Sequence, residues 1–391
     1  MKQASLRVIF LTVFIDLLGF GLIVPILPIY IKELGANNIQ VGIIAAVYSL
    51  MNFLFTPLFG SYSDRFGRRP ILLITISINV IAYILFGFAK TLPLLILSRL
   101  LSGIGSSNIS VAQAYISDIS TPENRAKSMG MIGAAFGLGF VFGPLFGALL
   151  SEQLGVSGIG FTAAGLCAIN FIWAYFSLPE SLKSKNSTAP IQFIPIQDYQ
   201  MALQRPIIRE LFLLNLVYIT AFSMMHINSP LLWREHYGLE KKQILYVFAF
   251  IGVVTAFVQG GLVGLMVKNF GELRLLLYGC FFMMIGLLLM PIVPKYLFAQ
   301  GIVVSMTFIA LGAGCLQPSM ASITSQQIPP HEQGRMLGLS QSFGSIARVI
   351  GPFMGGFLYD FAYWLPFVGG SAMMIGGVYL VQQVLIQIQK K

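Results

Sequence analysis

Apolar stretches of about twenty residues alternate with short polar connections along the whole chain, a pattern that predicts membrane-crossing helices. The predicted spans are 7–30, 40–61, 70–89, 93–116, 128–150, 157–178, 208–231, 243–266, 273–293, 296–318, 335–358 and 363–386. Membrane strands are excluded, because the stretches are too long and lack alternation with a period of two. The expected fold class is all-α: a polytopic membrane protein with twelve transmembrane helices.

The longest polar stretch, 179–207, separates six spans from six. The expected organisation is an N-terminal six-helix bundle (1–178), a linker (179–207) and a C-terminal six-helix bundle (208–391). Pro179 and Pro190 disfavour one continuous helix through the linker, although a short interfacial helix is expected near Asp198–Arg205. The two halves repeat. Gly143-Pro144-Leu145-Phe146-Gly147 returns as Gly351-Pro352-Phe353-Met354-Gly355 at an offset of 208. Gly60-Ser-Tyr-Ser-Asp64-Arg-Phe-Gly67 returns as Gly264-Leu-Met-Val-Lys268-Asn-Phe-Gly271 at 204, and Pro122-Glu123-Asn124-Arg125 is echoed by Glu332-Gln333-Gly334-Arg335. Two pseudo-symmetric copies of one membrane unit suit an alternating-access machine.

Composition agrees with this pattern: 56% of the 391 residues are hydrophobic and 10% are charged. The net charge of +10 would suit a nucleic-acid partner, but its distribution argues against one. Of the 24 Lys and Arg, 16 fall in the first tail, alternate connections and the last tail, and six fall in the opposite connections. The remaining two, Arg99 and Arg348, lie within spans. The bias places both termini and the 179–207 linker in the cytoplasm. The apolar start carries Asp16 and runs into a Pro-rich exit, so it reads as a retained first helix rather than a signal peptide. Cys167, Cys280 and Cys315 all sit in apolar spans and show neither a disulfide framework nor metal-ligand spacing. No grouped nucleophile and base and no phosphate-binding Gly-Lys-Ser or Gly-Lys-Thr loop is present, so neither an enzyme nor an ATP-driven pump is expected.

Three motifs carry a family resemblance. Gly60-Ser61-Tyr62-Ser63-Asp64-Arg65-Phe66-Gly67-Arg68-Arg69 closely resembles the loop signature of the major facilitator superfamily. Gly139-Phe140-Val141-Phe142-Gly143-Pro144-Leu145-Phe146-Gly147 is similar to the fifth-helix motif of its drug–proton antiporters. Asp16-Leu-Leu-Gly-Phe-Gly-Leu-Ile-Val-Pro25-Ile-Leu-Pro28 resembles the first helix of the tetracycline-efflux branch, whose relatives also carry sugars, lipids and other metabolites. The resemblance implies the major facilitator fold and a cytoplasmic latch in which Asp64 works with Arg65, Gly67, Arg68 and Arg69. It further implies a loop network of Asp118, Glu123 and Arg125, with a solvated helix end as the alternative; the repeated runs at Gly143, Pro144 and Gly147 and at Gly351 and Pro352 suit a moving interface or else ordinary tight packing. Asp64 and Arg68 are spaced to meet on one helical turn if local helix continues, and an acid there could cap a neighbouring helix start. The charges alternatively only fix topology. Lys268 and Glu272 stand where Asp64 and Arg68 stand in the first copy, so a second latch cannot use the same pairing.

Polar groups within the spans are few enough to weigh singly. An ionised Asp16 in lipid would be expensive, so it faces water or a partner, or binds a proton. Its role is proton coupling or a structural hydrogen bond. Arg99, in a stretch resembling the family's fourth-helix motif, is its candidate electrical partner, or else packs or snorkels. Candidates for a substrate cavity are Asn108, Gln113, Asn170, Asn215 and His226. Asn228, Gln259, Gln317, Gln341 and Arg348 complete that set, although interhelical hydrogen bonds use the same side chains. Spans seven to twelve hold no central acid, which concentrates proton chemistry on the first half.

The expected function is export of a small amphiphilic compound from the cytoplasm in exchange for a proton. The alternative is a symporter or facilitator for a sugar, lipid or other metabolite. Protons are the expected coupling ions, with no cofactor or metal. The expected partners are the substrate and membrane lipids, with no nucleic acid and no obligatory protein. The expected location is a bacterial cytoplasmic membrane.

Overall fold

A computed structural model describes residues 2–120, 122–182, 196–258, 262–328 and 333–389; side chains at 2–5, 122–134, 136, 140, 152, 196–198, 333–335 and 337 are outside that description. The regular elements among the described residues are helical. The first half holds α1 (Lys2–Ile23), α2 (Leu27–Glu33), α3 (Asn38–Phe66), α4 (Arg68–Phe88), α5 (Leu92–Gly105), α6 (Asn108–Ile119) and α7 (Pro122–Ser177). After the short α8 (Ile196–Gln204) come α9 (Pro206–Glu235), α10 (Lys241–Phe257), α11 (Val263–Phe270), α12 (Glu272–Ile292), α13 (Phe298–Gln326), α14 (Gln333–Phe361) and α15 (Leu365–Gln389).

Nine helical stretches among the described residues are long and apolar enough to cross a membrane: Leu6–Ile23, Asn38–Phe66, Arg68–Phe88, Leu92–Ile119, Gln153–Ser177, Pro206–Glu235, Glu272–Ile292, Lys295–Gln326 and Leu365–Gln389. The other three expected spans, 128–150, 243–266 and 335–358, fall on the first stretch of α7, on α10 with α11, and on α14. Each of these reaches residues outside the description.

Two spans are less continuous than the apolar pattern suggests. The first stops at Ile23, and the chain turns before resuming as α2, with Pro28 in its opening turn. Pro25 and Pro28 lack the N–H groups that a continuous helix would need there. The fourth is interrupted at Ser106 and Ser107, between α5 and α6. There the Ser106 hydroxyl donates back to the Gly103 carbonyl at 3.1 Å, competing with the helical ladder. α7 joins two expected spans, and its backbone departs from helix at Gly155.

Polarity is sorted inward. Asp16, Asn79, Arg99 and Asn108 are all at most 6% exposed, while Phe176 is 80% and Phe257 73% exposed. An apolar outside is stable only against lipid.

The chain forms two compact units. One comprises residues 1–36, 47–194 and 240–252; the other comprises 37–46, 195–239 and 253–391. In the first, α7 packs on α1 and α4, and α4 packs on α5; in the second, α9 packs on α14 and α15, and α12 on α13 and α15. These pairings correspond position by position, so the sequence repeat is also a repeat of packing. The glycine motifs explain two of them. A Cβ on Gly143 would stand 2.6 Å from the Gly21 Cα, and one on Gly351 would stand 2.7 Å from the Thr220 carbonyl oxygen. Each helix can press its backbone against the first long helix of its own half only because these side chains are absent. Each unit also takes in a short segment from the other half of the sequence. Asn38 donates to Asp360 at 2.6 Å in one, and Lys241 pairs with Glu33 at 2.6 Å in the other.

Candidate functional site

Asp16 sits in the first unit, on α1, 6% exposed. The Asn79 amide of α4 donates a short hydrogen bond to its carboxylate. Asn108, at the start of α6, also faces the carboxylate. Both polar atoms of the Asn108 amide are buried without a hydrogen-bond partner. One turn before Asp16, Thr12 donates to Asn170 of α7 at 3.2 Å. The carboxylate therefore lies in a polar seam where α1, α4, α6 and α7 meet, with amides as its nearest neighbours. Asn and Asp suit a proton site because a rotating amide can donate to the anion or accept from the acid.

Arg99 is 2% exposed on α5, and among the described residues no ion pair joins it to Asp16. One guanidinium nitrogen donates to Ser98 at 3.1 Å, while the plane lies 4.9 Å from the Phe86 ring centroid. A ring face is the contact an arginine makes when no carboxylate is beside it.

The loop motif forms a second centre in the same unit. α3 ends at Phe66 and α4 begins at Arg68, so Asp64 and Arg68 meet across a helix break rather than along a continuous turn. Their separation is 2.6 Å. Arg68 is a hub: its Nε pairs with Asp118 at 3.1 Å, and its Nη1 donates to Ser63 at 2.6 Å. Arg69 donates to the Tyr175 carbonyl at 2.7 Å, and Arg65 lies over Phe66. The side chains of Glu123 and Arg125 lie outside the described residues, as does Gln259.

The cap on α4 is not supplied by Asp64. Glu180, just after the second stretch of α7, accepts from the Arg68 amide at 2.9 Å and the Arg69 amide at 3.2 Å. It also accepts from the amides of Ser181 and Leu182 at 2.9 and 3.1 Å. Gly67 donates to the Ser63 carbonyl and Pro70 has no N–H, so every orphan donor of the α4 start is accounted for. Gly67 itself adopts φ 114°, and a Cβ there would collide with the Glu180 carboxylate. Sequence reasoning placed Glu180 in the linker and missed it. Its signal was an acid directly after a helix-ending Pro179.

The second half repeats this construction with the charges changed. Gly271 has φ 76° and precedes α12, as Gly67 precedes α4. Glu272 accepts from Ser322 at 2.5 Å and from Gln326 at 2.9 Å on α13. Glu272 and Ser322 stand 204 residues after Arg68 and Asp118. The contact between equivalent helices persists, but an acid and a hydroxyl replace the ion pair.

The other candidate lining residues divide. Asn215 donates to the Ser340 carbonyl at 2.8 Å, and Asn228 turns back to Met224 of its own helix at 2.7 Å. Gln113, Gln317 and Gln341 are exposed. His226 lies 5.9 Å from the Phe222 ring, and Arg348 donates to Ser345 at 3.2 Å. A Cβ on Gly344 would stand 3.7 Å from both the Arg348 Nη1 and the Asn215 Nδ2.

The description of the Major Facilitator Superfamily matches residues 9–352 and 262–385. The chain belongs to this family. Membership makes it a multi-pass membrane transporter rather than an enzyme. It is 28% identical to the class C tetracycline resistance protein of Escherichia coli, over 96% of this chain and 95% of that protein. It is 26% identical to multidrug resistance protein 2 of Bacillus subtilis, over 97% of this chain and 95% of the other. The fold also matches the crystal structure of the human organic anion transporter MFSD10 (TETRAN), with a TM-score of 0.71 and 23% identity over 97% of this chain and 99% of that one.

Proposed function

We propose that this transporter exports a small amphiphilic compound from the cytoplasm by alternating access, each cycle admitting an external proton that binds at Asp16. The carrying observation is a carboxyl group buried in the first unit among amides, hydrogen-bonded to Asn79 and without an ion-pair partner among the described residues. Such a group can take and release a proton with little rearrangement of its neighbours. Export is supported by the relatives named for tetracycline and multidrug resistance, aligned over nearly the whole chain. Both termini lie in the cytoplasm, and the membrane is a bacterial inner membrane. That orientation places the Arg68 hub on the cytoplasmic face, where its contacts hold helix ends together in one stage of the cycle.

The test uses proteoliposomes with an imposed proton gradient and tetracycline or ethidium as probe. Substrate flux opposite to proton flux supports antiport, whereas parallel flux establishes symport and refutes it. Asp16→Asn should abolish uphill movement while leaving downhill exchange. Wild-type uphill flux in that variant would remove Asp16 from the coupling step.

A further inference from the structure

Asp16 and Arg99, both buried in the first unit, make no ion pair with each other, yet one face of α4 touches both. Asn79, Tyr83 and Phe86 follow one another at spacings of four and three residues and so line one stripe of the helix. Asn79 holds the Asp16 carboxylate. Phe86 lies under the Arg99 guanidinium, 4.9 Å from ring centroid to Cζ. With 1.5 Å of rise per residue, these two contacts are about 10 Å apart along α4. Tyr83 stands between them, 4% exposed. Its ring and hydroxyl pack on α1 one turn after Asp16: a Cβ on Gly19 would lie 3.1 Å from both the Tyr83 Cε2 and Oη. The charged and titratable groups around Tyr83 are Asp16 from α1, Arg99 from α5, Tyr48 from α3 and Cys167 from the second stretch of α7.

We propose that Tyr83 is a positioning residue that transmits the charge state of Asp16 to Arg99. Its hydroxyl, both donor and acceptor, turns toward the carboxylate when Asp16 is ionised and away from it when Asp16 is neutral. Arg99, held on the Phe86 ring one turn further along α4, feels that reorientation of the phenol dipole in surroundings that screen it weakly. Gly19 is the space that lets the ring sit there. The inference rests on the reading that Asp16 binds and releases a proton.

The test needs no transported substrate. The full chain in nanodiscs is titrated by infrared spectroscopy, following the carboxyl C=O band that disappears in Asp16→Asn. In the wild type, Arg99→Gln should displace the midpoint of that band by about one pH unit. In a Tyr83→Phe background the same change should displace it by less than about a third as much, the coupling between the sites having been cut. Gly19→Ala, which crowds the phenol without removing it, should weaken the coupling in the same direction and serves if Tyr83→Phe fails to fold. An equal displacement by Arg99→Gln in all three backgrounds would overturn the role of Tyr83. A wild type with no titrating band assigned to Asp16 would overturn the proton-binding reading first, and this inference with it.

Discussion

Removing the Glu180 carboxylate tests whether the helix-end clamp is held by the residue the structure assigns to it. Glu180→Ala takes away both acceptors of the Arg68 and Arg69 amides. Pro70 has no amide N–H and the Gly67 amide bonds elsewhere, so at the start of α4 the loss falls on two identifiable N–H groups, beside those of Ser181 and Leu182 in the segment that carries Glu180. A side-chain cap is worth about 1 kcal/mol and the charge at a helix start adds about 0.3–1 kcal/mol. Glu180 is exposed, so solvent screening keeps the total near about 1–2 kcal/mol. Local opening at those amides should therefore be favoured by about five- to thirtyfold, since about 1.4 kcal/mol is a factor of ten. Hydrogen–deuterium exchange of a peptide covering 66–72 should accelerate by that amount, with exchange deep in α4 unchanged. Glu180→Gln, which keeps one carbonyl acceptor but no charge, should fall between wild type and alanine. Unchanged exchange at Arg68 and Arg69 in the alanine variant would refute the capping assignment. Uniform acceleration across the first unit would show a general packing defect instead.

Other consequences are equally direct. Arg68→Lys keeps the charge but cannot hold Asp64, Asp118 and Ser63 together, so transport should drop severalfold at normal membrane insertion; wild-type flux would refute the hub. Gly143→Ala drives a Cβ into the Gly21 backbone and should cost about 1–3 kcal/mol in thermal stability, whereas Gly137→Ala, with open space around it, should be neutral. The Glu33–Lys241 pair is about one third exposed, so Lys241→Ala should change stability by less than about 1 kcal/mol, and any effect should vanish in high salt. Ser322→Ala should loosen the α12–α13 end measurably less than Asp118→Ala loosens α4–α6, because it breaks a hydroxyl contact rather than an ion pair. Equal effects in exchange measurements would contradict that difference.

Much of the architecture was legible in the chain. Long apolar runs can only become helices when lipid is the solvent, because each backbone group must bond within its own segment. The glycine–proline motifs announced tight packing, and the 204- and 208-residue repeats announced two copies of it. Scarcity singled out Asp16 and Arg99, since a charge inside an apolar span needs a specific reason. Partners were another matter. Asp16 meets Asn79 across 63 residues of sequence, and Glu180 caps a helix start 112 residues earlier. Arg99, a candidate electrical partner of Asp16 or else a packing residue, lies on the Phe86 ring. Local pattern determines which face of a helix is polar; the rotation and depth at which helices pack decide which polar groups meet. The breaks at Val24–Ile26 and Ser106–Ser107 belong to the same class, because a membrane span accepts proline or serine as helix or as turn according to what its neighbours can bond. The sequence by itself determined the helices, their repeat and the few residues able to carry charge. Only tertiary packing decided that amides meet the acid, and that the arginine rests on an aromatic ring.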